Sequence, residues 1–487
     1  MGLRDELASR FKAQLAAKIF RAVGGGLLTV GLARLLDPDG YGLLFLALTV
    51  VTFFQLLTIG IGRSAGRYIA EYRETDESQL PYIVRDASVI VVGIMVVAGV
   101  LLAAASGRIA SLFDEPELQP FLLVGTAFVI LWMAITFIEK VLQGFEAIRF
   151  VAVMTSFGRL TRLVLALGIV AAGFGALGAL WGYVISALFT ATLGTVYLVR
   201  RLREFDTDPN GAEPGLRRRI FEYAVPTTAT NMSRYLDHQV DTLLVGYFLS
   251  PVAVSFYVIA EQVITFLETP LSALGFTLSP TFGSQKAAGN IEEMSRIYEE
   301  ALLNGLLLYV PVGAGILFVA QPAITLVFGS EYSGAIPVLQ VLGLYVILKA
   351  ITKVSDNGLD FLGRARERAI ARIVTALLNV GLTVALIQPF GVVGAAIATL
   401  VTQGFYTTTN VYISAQEFEF RTGFLLRRAG KIVAVTLVMS AVVFALSGYI
   451  SGWLTLALVI GAGFVVWAVL SVTTGLLEIG RVVSIMT

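Results

Sequence analysis

The sequence predicts an all-α polytopic membrane protein of about fourteen transmembrane helices. They are arranged as two six-helix lobes with a parallel pseudo-two-fold repeat plus two C-terminal helices. Three observations predict this: an apolar composition, basic residues segregated on alternate sides of the apolar runs, and a repeated pair of turn motifs. Hydrophobic residues make up 56% of the 487 residues and charged ones 14%. Soluble chains run at about 45–50% and about 25%. The mean hydropathy of +0.81 suits lipid. The 35 basic and 34 acidic side chains leave a net charge of +1 and give no reason to expect a nucleic-acid partner. No cysteine is present, which excludes disulfides, thiol nucleophiles, thiolate metal sites and iron–sulfur clusters. The single histidine, His238, removes multi-histidine metal sites, so no metal or other cofactor is expected.

Crossing about 30 Å of hydrocarbon takes about 20 mainly apolar residues. The opening "MGLRDELASRFKAQLAAKIF" is amphipathic, carries acidic residues and has no evident cleavage site, so it does not read as a cleavable signal peptide. The first helix is expected at 15–36, with Lys18 and Arg21 low in it. Helices follow near 41–62, 84–106, 120–142, 151–172 and 177–199. The charged, Pro- and Gly-bearing segment 201–219 reads as a cytoplasmic linker. Beyond it lie runs near 221–248, 253–277, 299–325, 335–358, 369–388, 392–414, 430–449 and 453–476. The division expected is therefore an N-lobe at 1–200, the linker at 201–219, a C-lobe at 220–415 and C-terminal helices at 416–487. Numbering the gaps alternately, every second one holds only Arg108 among its basic residues. The other gaps and their edges hold Arg63, Arg67, Arg73, Arg200, Arg217, Arg364, Arg421 and most of the rest. That is the positive-inside pattern for an even number of spans with both termini cytoplasmic.

The chain also resembles itself. "LLDPDGYGLL" between helices one and two matches "YFLSPVAVSFY" between seven and eight, pairing Pro38 with Pro251 and Gly42 with Ser255. "GFGALGA" matches "PFGVVGA" later, pairing Phe174, Gly175 and Gly178 with Phe390, Gly391 and Gly394. Copies of six helices share one membrane orientation, and such parallel repeats suit alternating access by rocking.

A charge at membrane depth must pair, snorkel or face water, so embedded charges are the informative residues. Arg234, His238 and Asp241 share one face of helix seven, with Asp237 beside them. That set reads either as a hydrated substrate face or as a structural network. Lys349, Lys353, Asp356 and Asp360 form a stripe on helix ten, with Lys349 the deepest. Arg21 precedes three glycines in helix one, and Arg63 with Arg67 occupies the inner end of helix two. Glu261 and Glu268 share a side of helix eight and are candidates for coupling or for neutralising a cation. Arg159 and Arg162 in helix five form a one-turn pair, read as structural.

The stretch "VGLARLLDPDGYGLLFLALTVVTFFQLLTIGIGRSAGRYIAEYRE" resembles the opening of polysaccharide-biosynthesis (Wzx-like) oligosaccharide flippases. These belong to the multidrug/oligosaccharidyl-lipid/polysaccharide exporter superfamily. "DTLLVGYFLSPVAVSFYVIAEQV" is alike in the same way, departing at Ser255, where the pattern favours glycine. The resemblance implies a non-enzymatic transporter flipping a polyisoprenoid phosphate- or pyrophosphate-linked oligosaccharide from the cytoplasmic to the outer leaflet of the cell membrane. The implied partners are the lipid-linked glycan, membrane lipids, and glycosyltransferases or a polymerase of the same pathway. Arg21, Arg63, Arg67, Arg234 and Lys349 become the substrate-binding candidates. Asp237, His238, Asp241, Glu261, Glu268, Lys353 and Asp356 become the coupling or charge-network candidates. The alternatives are a cation-coupled multidrug or metabolite antiporter, disfavoured because 15–36 holds no acidic residue, and a non-transporting scaffold for glycan assembly.

Overall fold

The computed structural model describes residues 23–208, 211–287, 290–418 and 420–477, with the side chains at 229–230, 233–238, 270–287, 360–362 and 365 not described. Among these residues there are fourteen α-helices and no strand. They are α1 (Val23–Leu35), α2 (Pro38–Thr75), α3 (Leu80–Leu112), α4 (Leu118–Gly144), α5 (Ile148–Ile169), α6 (Gly175–Leu202) and α7 (Leu216–Phe248). Then come α8 (Pro251–Ala287), α9 (Ile291–Val327), α10 (Ala335–Leu362), α11 (Ala365–Phe390), α12 (Val392–Glu417), α13 (Thr422–Ser447) and α14 (Trp453–Thr473). Ten helical stretches are long and apolar enough to cross a membrane, with Ile148–Leu202 counted as one. The described part of α1, α7 and α12 do not reach that mark. Val92, Val96, Val100, Leu160, Val164, Leu437, Phe444, Leu458 and Phe464 are exposed, as a lipid-facing surface requires.

The motif "LDPDGYG" is a helix start. Asp37 caps α2 by accepting from the Gly40 amide at 3.0 Å, and Pro38 sits where a missing N–H costs nothing. Gly42 is needed for a close approach, because a Cβ there would lie 1.8 Å from the carbonyl oxygen of Pro251. The α2 helix then runs on for 38 residues, about 57 Å, well past the inner end expected near residue 62.

Two compact units emerge, Leu27–Ser255 and the residues from Phe256 onward. In the first, α7 runs antiparallel along α2. A Cβ on Gly246 would meet Leu46, one on Gly60 would lie 2.3 Å from the carbonyl oxygen of Ala224, and the Ser64 hydroxyl donates to the Ile220 carbonyl at 3.0 Å. This packing unit therefore includes α7, whereas the sequence repeat assigns that helix to the second copy.

Inside each unit the pairings match. Contacts of α3 with α4, α4 with α5, α4 with α6 and α5 with α6 recur as α9 with α10, α10 with α11, α10 with α12 and α11 with α12. The aligned glycines of the second motif share an unusual backbone: Gly175 has φ 59° and ψ −160°, and Gly391 has φ 58° and ψ −142°. A side chain at either would be strained, so the two glycines of "FG" are conformational requirements.

The α13–α14 pair docks on α9 through Leu303, Leu307, Ile432, Met439, Val443, Val459 and Trp467. Pro311 deprives the Leu307 carbonyl of its intrahelical donor, and Trp467 Nε1 supplies one from α14 at 3.0 Å. Arg421, at the head of α13, donates from its backbone N and Nε to the buried Glu299 carboxylate at 2.6 and 2.7 Å.

Candidate functional site

A dense polar packing lies in the second unit, between α10, α11 and α12. Lys349 sits fourteen residues into α10, about 21 Å along the helix axis. Its Nζ lies 5.1 Å from the Tyr345 ring centroid, one turn back. Glu268 of α8 lies within electrostatic reach of both Lys349 and Lys353, so an acidic side chain accompanies the deepest lysine. Lys353 itself is exposed. Asp356 is fastened from α12: the Tyr406 hydroxyl donates to Oδ1 at 3.0 Å and Asn410 Nδ2 at 2.9 Å. Arg368 Nη1 donates to its backbone carbonyl at 3.0 Å, and Arg372 stacks 4.7 Å from the Tyr406 ring centroid. A turn deeper, Gln403 Nε2 donates to Thr352 Oγ1 at 2.7 Å, and Thr352 and Thr407 share a hydroxyl bond of the same length.

These α12 residues, Gln403, Tyr406, Thr407 and Asn410, were not singled out from the sequence because none is charged. A signal was present: they lie within "TQGFYTTTN", about two helical turns whose polarity leaves α12 less apolar than the membrane-spanning stretches.

In the first unit, Arg67 is exposed and stacks 4.8 Å from the Tyr223 ring centroid, while Arg63, a turn earlier, is exposed. Asp241 is buried on α7, and Thr49 of α2 reaches Gln239 Oε1 at 3.4 Å. Arg162 lies between α4 and α6, with its guanidinium 4.5 Å from the Trp132 ring centroid, 4.9 Å from Tyr183 and 5.6 Å from Phe128. Glu261 of α8 is half-buried. Arg21 lies outside the described residues; Arg234, Asp237 and His238 lie on α7, but their side chains lie outside the description, as does that of Asp360.

In the first unit the segment between α6 and α7 is tied down against α2 and α3. Gln79 Nε2 donates to Asp208 Oδ2 and the Gly211 carbonyl, both at 3.2 Å, while its Oε1 accepts from the Glu213 amide at 2.8 Å. Tyr82 donates to the Asp208 carbonyl at 2.9 Å. The buried Asp86 pairs with Arg85 and Arg217, each at 3.0 Å. The Tyr72 hydroxyl and Arg219 donate to Glu213, and together they hold its carboxyl below the usual carboxylate range.

Residues 31–337, more than half of the chain, match the model of a family described as polysaccharide biosynthesis protein. Two relatives in Haloferax volcanii carry flippase names. One, "Probable low-salt glycan biosynthesis flippase Agl15", is 25% identical over 47% of this chain. The chain spans about half of that relative's length (48%). The other, "Probable flippase AglR", is 24% identical over 81% of this chain and 80% of its own. The fold is that of the lipid II flippase MurJ in an inward closed conformation, at a TM-score of 0.71 and 16% identity over 94% of this chain and 97% of that one. It is shared with an inward-facing multidrug resistance MATE transporter, at a TM-score of 0.68 and 15% identity over 85% and 99% of the two chains. The chain, a multi-pass all-α membrane protein, belongs to the polysaccharide biosynthesis protein family.

Proposed function

We propose that this protein is a transporter, not an enzyme, that carries a polyisoprenoid phosphate- or pyrophosphate-linked oligosaccharide from the cytoplasmic to the outer leaflet. The observation that carries the reading is Lys349, a cation held deep in a helix of a chain from this family, with Glu268 near it. A phosphate-bearing head group needs such a cation along a route through hydrocarbon, and the isoprenoid tail can remain in lipid. Arg21, Arg63, Arg67 and Arg234 complete the proposed basic route. Asp237, His238, Asp241, Glu261, Glu268, Lys353 and Asp356 form the proposed coupling or charge network. The membrane is the cell membrane, both termini are cytoplasmic, and the repeated lobes at 1–200 and 220–415 rock about the linker. Enzymes that build or polymerise the glycan are the proposed partners.

The fold alone is shared with multidrug transporters, so the head-group chemistry separates the readings. Purified protein in liposomes is expected to move a lipid-linked glycan between leaflets, and K349E is expected to reduce that rate at least tenfold at equal folded yield. Transport of organic cations with no movement of lipid-linked glycan would overturn the reading.

A further inference from the structure

We propose that Arg162 and the rings around it form an oxyanion subsite in the first unit, taking the phosphate of the lipid-linked substrate. The proposal rests on the flippase reading and adds a ligand position to it. Arg162 lies fourteen residues into α5, about 21 Å along the axis, far beyond the reach of a snorkelling side chain to the helix start. Its Nε is buried and has no hydrogen-bond partner. Among the described residues, no carboxylate pairs with it; the nearby titratable groups are Tyr183 and a second cation, Arg159.

A guanidinium at that depth is costly unless an opposite charge meets it, and ring faces offset only part of that cost. Phe128 and Tyr183 are buried and Trp132 is half-buried, so three largely buried rings surround the guanidinium. A planar fork with an unused N–H suits a phosphate oxygen better than any neutral partner. The helix around it is ordered for this placement: Gly158 and Ala166, a turn on either side of Arg162, are buried against α6, whereas Leu160 and Val164 face outward.

The test uses the full-length protein in phosphatidylcholine nanodiscs, with farnesyl pyrophosphate as probe and tryptophan emission as readout, since Trp132 borders the guanidinium. Saturable binding is expected, with the emission change lost in W132F. R162Q is expected to raise the Kd about tenfold or more, the loss of a charged hydrogen bond. R162K, which keeps the charge but lacks Nε and the planar fork, is expected to raise it several-fold and covers the case in which R162Q does not fold. An unchanged Kd in folded R162Q or R162K would overturn the subsite. So would an emission change of the same size from phosphatidylglycerol nanodiscs without probe, which would assign the site to bulk phospholipid. Arg162-dependent binding in a protein that moves no lipid-linked glycan would instead sink the transport reading and leave the subsite standing. Full glycan transport by R162Q would remove the subsite and leave the transport reading intact.

Discussion

The two units repeat a backbone and diverge in chemistry. Where α5 and α6 join, Gly175 holds the same left-handed turn that Gly391 holds between α11 and α12. At the offset pairing Phe174 with Phe390, Ser186 pairs with Thr402, and each hydroxyl bonds the facing helix: Ser186 to the Gly158 carbonyl at 2.7 Å, Thr402 to Asn379 at 3.4 Å. At that same offset, however, Arg162 pairs with Leu378, which is exposed. The second unit meets its embedded charges with a carboxylate and a vein of amides and hydroxyls, whereas the first surrounds its guanidinium with rings. The backbone rule at this turn is therefore common to both copies, while polar content is where each is specialised.

The sharpest way to break that comparison is at its matched turns. Gly42 and Ser255 are aligned, yet only Gly42 faces a backbone carbonyl at a distance no Cβ tolerates. Gly42→Val is expected to abolish recovery of monodisperse protein in size-exclusion chromatography. Ser255 is buried with its hydroxyl turned back to the Val252 carbonyl at 2.7 Å, so Ser255→Gly is expected to cost about 1 kcal/mol. Equal loss in both variants would show that the two turns are not packed differently.

A second contrast sets Asp356 against Ser186. Asp356→Ala leaves the Tyr406 hydroxyl and the Asn410 amide without their shared acceptor, an expected loss of about 3 kcal/mol. Ser186→Ala removes one hydroxyl from carbonyls already used in a helix and is expected to cost about 1 kcal/mol. Thermal inactivation midpoints in detergent would read both. A larger shift for Ser186→Ala would mean that the polar vein of the second unit is not what holds α10 to α12.

The same contrast shows what could be read from residues alone. Helix number was legible because apolar length is set by the bilayer. The turn motifs were legible because Pro38, Gly42 and the "FG" glycines answer local backbone demands. The partners of Asp356 were not, since Tyr406 and Asn410 act through neutral groups whose pairing depends on which helices become neighbours. Nor was the role of α7: Gly60, Ser64 and Gly246 are ordinary in any membrane helix, and only the packing reveals them as its seam with α2. The segment 201–219 reads as a linker from its Pro, Gly and charge, but the Gln79, Tyr82, Asp86 and Tyr72 side chains that hold it lie more than a hundred residues away in sequence.

At α9 the expected effect is smaller. Trp467→Phe keeps the ring against Leu307 but removes the donor that satisfies the carbonyl left free by Pro311, an expected loss of about 1–2 kcal/mol. In a Pro311→Ala background, the helix supplies its own donor, so the same substitution is expected to cost less than half as much. Additive losses in this double-mutant cycle, read as thermal midpoints, would mean that Trp467 acts only through packing.

The smallest expected effect concerns the clasp at the linker. Hydrogen bonds from Tyr72 and Arg219 hold the Glu213 carboxyl below its usual range, so the folded pKa lies beneath the unfolded value of about 4.3. A depressed folded pKa means that the group's contribution is present in full above the unfolded value and is lost as pH falls through the folded one. Glu213 is largely solvated, so screening keeps that contribution small and confines it to the linker. Hydrogen exchange at 211–219 is therefore expected to be unchanged from pH 7 to about pH 5 and to quicken, after correction for intrinsic rates, below about pH 4. Glu213→Gln should show the quickened exchange already at pH 7 and lose the pH step. A pH step that persists in Glu213→Gln would place the titrating group elsewhere, with Asp86 and its two arginine partners the next carboxylate to test.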